Sequence, residues 1–208
     1  MTTAMIQELS EHPELLYRHT VDEYNQMLAS GAIEEGAPFE LLDGRIVRKI
    51  RNASGENPMT IGTGHATVTT RLADLNAALK PLGCYMRVQL PVSLLQYDMP
   101  EPDGLIARGT DADYMQHHPV AADVLCIIEV ADASLQRDRG SKMEIYANSA
   151  LPMYIIFNLT QRVVEVYTEP VKDEGRYAKL ATLSLEQTIA FPTAFGQPLA
   201  VPVKQLLP

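Results

Sequence analysis

A chain of 208 residues, 46% hydrophobic and 21% charged, is long enough to bury one sizeable core and has the composition of an ordinary globular protein. Its formal net charge of -9 speaks against broad electrostatic affinity for nucleic acid, which usually leaves a basic footprint. No apolar run approaches membrane-spanning length, and the N-terminus lacks the basic and apolar segments of a secretory signal. Cys84 and Cys126 fall in apolar stretches without metal-ligand spacing, so buried reduced thiols in a cytoplasmic protein are expected.

Thr20-Val-Asp-Glu23 has capping-box form and opens a helix that should end before Gly31. Residues 39–42 and 45–50 flank Asp43-Gly44, a pair suited to the positive φ angles of a type I′ turn, and predict a hairpin. Residues 52–64, rich in glycine and small polar side chains, predict a mobile loop. Val68, Leu72, Leu75 and Leu79 have the spacing of an amphipathic helix over 67–79, stopped at Pro81. Residues 84–95 read as a long strand or a pair interrupted at Pro91, and 104–107 as a short strand. The nearly continuous apolar run 124–130 suits a central strand covered on both faces. A helix over 137–148 follows, then strands over 153–158, 163–168 and 177–183, and a Pro-rich tail over 188–208.

No repeat or composition break divides this order, so one domain over residues 1–208 is expected. The fold class is α/β (α+β), a mixed central sheet with helices on its faces and hairpin additions.

Four residues stand out chemically. Asp103 lies in Glu101-Pro-Asp-Gly104, Glu129 ends an apolar run, Lys142 sits on the following helix, and Glu40 lies in the first hairpin. Two carboxylates at adjacent strand ends can hold a hard cation through oxygen, and a lysine beside them can orient a water or stabilise developing negative charge. Each residue also has a plainer explanation. Asp103 suits a turn, Lys142 is four residues after Asp138 and suits a helix-surface ion pair, and Glu40 can pair across the hairpin with Arg45. Glu129 is the hardest to explain away, because a buried carboxylate needs a cation or a partner.

Taken in order, Glu40-Leu-Leu-Asp-Gly44, Gly64-His65, Val88-Gln89-Leu-Pro-Val92, Glu101-Pro-Asp103, Ile128-Glu-Val130, Asp138 with Lys142 and Tyr146, Tyr154-Ile-Ile-Phe157 and Val164-Glu-Val-Tyr167 resemble the Uma family. That is a restriction-endonuclease-like group of the PD-(D/E)xK superfamily. The resemblance runs from about Thr20 to Leu199 and implies a nuclease-type core. It implies Asp103 and Glu129 as metal-binding acids, Glu40 as an additional acid and Lys142 as the catalytic lysine. It implies Mg²⁺ as cofactor, with Mn²⁺ as a substitute. Ala131 stands where the commoner superfamily pattern has its lysine, which in this family lies on the helix instead. The chain departs from the family in two places: Ala131-Asp-Ala-Ser134 replaces a Ser-Pro-Ser segment, and there is no Trp in the strand after the helix.

Three residues are candidates for holding substrate. His65 opens a helix whose free N–H groups favour an anion. Tyr146 lies one turn beyond Lys142 and can position it. Arg48 belongs to a short basic stretch with Arg45, Lys49 and Arg51 whose plainer explanation is a solvated hairpin face. His117-His118, without a spaced partner, reads as solvated. The expectation is a metal-dependent endonuclease acting on DNA, as a homodimer that addresses two strands and uses the apolar C-terminal hairpin as its interface. The alternative is a non-catalytic module binding nucleic acid or protein on the same fold. A two-carboxylate sugar-cleaving enzyme leaves the lysine unexplained.

Overall fold

The computed structural model describes residues 2–34, 36–49 and 62–208. The helices are α1 (Thr3–Glu11), α2 (Val21–Ala29), α3 (Thr63–Asp74), α4 (Asn76–Leu79), α5 (Leu135–Arg137), α6 (Met143–Asn148) and α7 (Val203–Leu206). The strands are β1 (Phe39–Leu42), β2 (Arg45–Arg48), β3 (Cys84–Val88), β4 (Gly104–Arg108), β5 (Val124–Ala131), β6 (Met153–Asn158), β7 (Val163–Val171), β8 (Arg176–Leu183), β9 (Thr188–Phe191) and β10 (Leu199–Pro202). Strands β3 to β8 form one sheet in sequence order. Only β5 and β6 pair in parallel, across the helical passage that joins them, and the other neighbours are antiparallel. This is the mixed sheet with helices and hairpin additions that the order of elements predicts.

Every residue of β5 is buried, because both faces of the sheet are covered. On one face Cys126, Ile128 and Val130 meet Val68 and Leu72 of α3, Ile189 and Phe191 of β9, and Val203 and Leu206 of α7. On the other, Ile127 and Ala131 meet Ile145, Tyr146 and Ala147 of α6, Tyr154, and Leu42 of the first hairpin. The two cysteines are buried and free, and burial raises both thiols, that of Cys126 well above the usual range.

The capping box forms as read. Thr20 Oγ1 accepts from the Glu23 amide at 3.2 Å and Glu23 Oε2 accepts from the Thr20 amide at 2.7 Å, an arrangement typically worth about 1 kcal/mol. The Asp43-Gly44 turn closes β1 on β2 with φ of 49° and 72°. Gly44 is required twice over, since a Cβ there would also lie 2.6 Å from Arg18 Cβ. The hairpin is then fixed to the body by Leu41 and Met99, which exchange backbone hydrogen bonds.

Four local expectations change. The helix over 67–79 starts earlier, at Thr63, and breaks at Leu75 into α3 and α4. After Val88 the chain leaves the ladder instead of continuing as a strand, and Gln89 takes a left-handed φ of 52°. The Pro-rich tail is not loop alone: β9, β10 and α7 lay Ile189, Phe191, Val201, Val203 and Leu206 into the chain's own core. The helix over 137–148 is interrupted by a π-helical turn, Asp138–Lys142, in which Gly140 is non-helical at φ -109° and ψ -110°. A Gly-Ser pair is a usual place for such a kink. Most of the predicted mobile loop, together with Ile50 and Arg51, lies outside the described residues, while its Thr63 and Gly64 belong to α3. Among the described residues no helix is long and apolar enough to cross a membrane.

Candidate active site

Strand register brings the two acids together. Gly104 of β4 pairs with Ile128 of the antiparallel β5, so the next residues outward, Asp103 and Glu129, stand across from each other on one sheet face. Asp103 is fixed by two donors: the Val130 amide reaches Oδ2 at 2.8 Å and His65 Nε2 reaches Oδ1 at 2.9 Å. Glu129 is 3% exposed. Its Oε1 accepts from Lys142 Nζ at 2.8 Å and from the Tyr146 hydroxyl at 2.7 Å.

Lys142 arrives from the kinked turn and is itself buried. Its Nζ lies 3.7 Å from Glu40 Oε2, which also accepts from the Glu101 amide at 3.2 Å. The other oxygen, Glu40 Oε1, is buried with no hydrogen-bond partner. Asp138 is buried too, but its carboxylate accepts from Ser134 Oγ at 2.6 Å and does not pair with Lys142. The helix-surface pair that the Asp138–Lys142 spacing suggests does not form, because the kinked turn faces the sheet. Likewise Arg45 pairs with Asp43, leaving Glu40 to the site.

These side chains line one cavity of about 60 Å³, to which Lys49 and Glu101, joined as an ion pair, contribute together with Gln89, Asp132 and Arg137. Of the sequence candidates, the structure brings together Glu40, His65, Asp103, Glu129 and Lys142. Tyr146 stands behind Glu129 and contacts the cavity only through it. Arg48 is exposed and is not among the lining residues. Two contributors went unread: Gln89 has a buried Nε2 without a partner, and Arg137 a buried Nε without one. His65, a candidate from the sequence, is held by Asp103 where the reading expected an anion. No composition or spacing signal marks the left-handed turn that points Gln89 inward. Arg137 was visible only as one helix residue among several.

The environments push the two facing acids apart. Burial raises the Asp103 carboxyl, but the hydrogen bond and charge of His65, the Lys142 ammonium and the Val130 amide together hold it below its usual range. Burial pushes Glu129 up to about 8, with Asp138 and Asp103 adding to the rise and Lys142 only partly opposing it. Burial also raises Asp138. Lys142 is penalised by burial, yet Glu129, Glu40, Asp138 and Asp103 around it keep it firmly protonated. Paired groups with divergent proton affinities are the usual mark of a chemical site.

The donor set suits a hard divalent cation. It is made of carboxylate oxygens and includes the unpartnered Glu40 Oε1. Among the described residues, however, no group of three or more His, Cys, Asp or Glu side chains is arranged to hold a metal as it stands. The oxygens face protein donors instead: Asp103 faces His65 and Val130, and Glu129 faces Lys142 and Tyr146.

A mixed sheet with one acid at each of two adjacent strand positions, and a lysine delivered by the next helix, defines a restriction-endonuclease-like core. The chain belongs to the Uma2 family, described as "Putative restriction endonuclease", whose model matches residues 21–203. Its fold is similar to that of a protein from Anabaena variabilis described as "a putative nuclease belonging to DUF820". The two share 15% identity over 90% of this chain and 96% of the other, with a TM-score of 0.60. No curated protein matches the chain.

Proposed function

We propose that this nuclease-family chain hydrolyses phosphodiester bonds of DNA with the help of Mg²⁺, for which Mn²⁺ can substitute, and that residues 1–208 act as one domain. The observation that carries the reading is the convergence of Glu40, Asp103, Glu129 and Lys142, from separate elements, on one small cavity. Asp103 and Glu129, with Glu40, would hold the cation, which supplies a polarised phosphate and a bound water of lowered pKa. Asp103, kept ionised by its donors, is the ready ligand. Glu129 must give up the proton that burial favours before it can serve as one. Lys142 offers a permanent ammonium to the charge that develops on the phosphate oxygens. Tyr146 orients Glu129, and His65 orients Asp103 or meets the phosphate once Asp103 turns to the cation. Arg48, exposed beside the cavity-lining Lys49, is a contact for the strand outside the cavity. A symmetric dimer that addresses two strands completes the reading.

A non-catalytic binding module on the same fold is the second reading, favoured by the absence, among the described residues, of a metal group already in place. Nicking of supercoiled plasmid in Mn²⁺ separates the two. Turnover by the wild type that is lost in Asp103→Asn supports the nuclease, and inactivity on both plasmid and single-stranded DNA supports the module.

A further inference from the structure

Outside the acid site, Arg87 of β3 is a second unusual residue. Only 7% of it is exposed, and among the described residues it makes no ion pair. Its hydrogen-bond partners are neutral: Nη1 donates to the Tyr85 hydroxyl at 3.0 Å, and Nη2 lies 3.2 Å from His118 Nδ1. A guanidinium can only donate, so His118 is the acceptor and presents an uncharged ring. Burial, Arg87 and His117 all disfavour protonation of that ring. Arg87 Nε is buried with no partner at all. Asp113 and Asp123, whose charges reach Tyr114 of the same cavity, are committed elsewhere, Asp113 to Thr110 and Asp123 to the Val120 amide. A buried charge without a counter-charge is costly, and the open Nε–H of this guanidinium suits a phosphate oxygen.

The surroundings have room for one. Arg87 lines a cavity of about 490 Å³ with Asn25, Ser93, Tyr114, His117 and His118. Asn25 and His118 also line a neighbouring cavity of about 820 Å³, which in turn shares Lys49, Gln89 and Glu101 with the acid site. The three cavities are therefore neighbours with shared walls. Strand register gives the scale. Arg87 pairs with Leu105, two residues along β4 from Asp103 and on the same sheet face, so its Cα lies roughly 7 Å along the strand and about 4.8 Å across from that of Asp103.

We propose that the Arg87 pocket is a second phosphate-binding subsite, taking a non-scissile phosphate of the same nucleic-acid strand whose scissile phosphate lies at the acids. This rests on the nuclease reading. The chemistry shared with a free phosphate compound is an oxyanion received by Arg87 Nε, so the test must tell the two sources apart.

The experiment measures binding of fluorescein-labelled single-stranded and duplex oligonucleotides by anisotropy, in Ca²⁺, across a salt series. Proteins are the wild type, Arg87→Gln and Arg87→Lys. Arg87→Gln should weaken binding about tenfold and reduce the slope of log affinity against log salt by about 0.7 for a single strand or 0.9 for a duplex, the signature of one lost phosphate contact. Arg87→Lys should keep the slope. The apparent Tm of unliganded Arg87→Gln should equal or exceed that of wild type, because an uncompensated buried charge has been removed; a fall of several degrees together with unchanged binding would make Arg87 structural and overturn the proposal. Equal affinity and slope in wild type and Arg87→Gln would overturn this inference alone. Failure of the wild type to bind any oligonucleotide would remove the nuclease reading as well. Inorganic phosphate is titrated in parallel, observed at the His118 imidazole by NMR. A phosphate response lost in Arg87→Gln, without oligonucleotide binding, would reassign the pocket to a free phosphate compound and overturn the strand subsite.

Discussion

Replacing Lys142 by Met keeps the length of the side chain and deletes its charge. In the structure Lys142 is 4% exposed, and its ammonium donates to Glu129 and lies 3.7 Å from Glu40. Breaking a buried ion pair by removing one partner usually costs about 3–5 kcal/mol, because the other charge is stranded. For a domain of this size each kcal/mol shifts Tm by roughly 2–4 °C, so a fall of about 6–20 °C is expected. The loss must depend on pH. Glu129 is pushed up to about 8 even beside the ammonium, so below that pH the stranded carboxyl escapes by taking a proton. The raised Lys142 keeps its charge at both pH values compared here. The difference between wild type and Lys142→Met should therefore be larger at pH 8.5 than at pH 6. Melting by circular dichroism at the two pH values checks this. A helix-surface partner of Asp138 would contribute no more than about 0.5 kcal/mol. A Tm within 2 °C of wild type at pH 8.5 would refute the buried pair.

Cation affinity should rise with pH up to about 8 and level off above it, because a bound cation needs Glu129 ionised; calorimetry in buffers of different ionisation enthalpy should show proton release at pH 7, and an affinity independent of pH would count against Glu129 as a ligand. Tyr146→Phe removes a 2.7 Å hydrogen bond to Glu129 and should cost about 1–2 kcal/mol in urea unfolding while moving the midpoint of that pH profile upward, since the hydroxyl favours the ionised carboxylate. Gly44→Ala meets both a φ of 72° and Arg18, and should cost at least about 1 kcal/mol and lower cation affinity by displacing Glu40. An unchanged urea midpoint would show that the hairpin adapts.

Local signals carried far into this fold. Asp43-Gly44 specified the hairpin turn, Thr20 and Glu23 specified the start of α2, and the apolar run around β5 announced a strand covered on both faces, with Glu129 as its one charged interruption. What the residues could not announce was geometry set by distant pairing. The β4–β5 register that stands Asp103 opposite Glu129 is a property of two strands together. The same spacing of Asp138 and Lys142 fits a solvated helix face or a buried one, and the kink at Gly140 and its contact with the sheet decide between them. His65 read as an anion contact at a helix start, and not as a partner of Asp103, because Asp103 is 38 positions away in the chain. The proline-rich tail hid β9, β10 and α7, whose stability comes from apolar side chains pressed onto α3 and the sheet and not from local propensity.

The most direct measurement is anomalous diffraction at the manganese edge from crystals soaked in Mn²⁺. The expected result is one peak in the cavity, about 2.0–2.3 Å from a carboxylate oxygen of both Asp103 and Glu129, with Lys142 still beside it. A peak elsewhere, or none at saturating Mn²⁺, would contradict a metal-dependent nuclease site built on these residues.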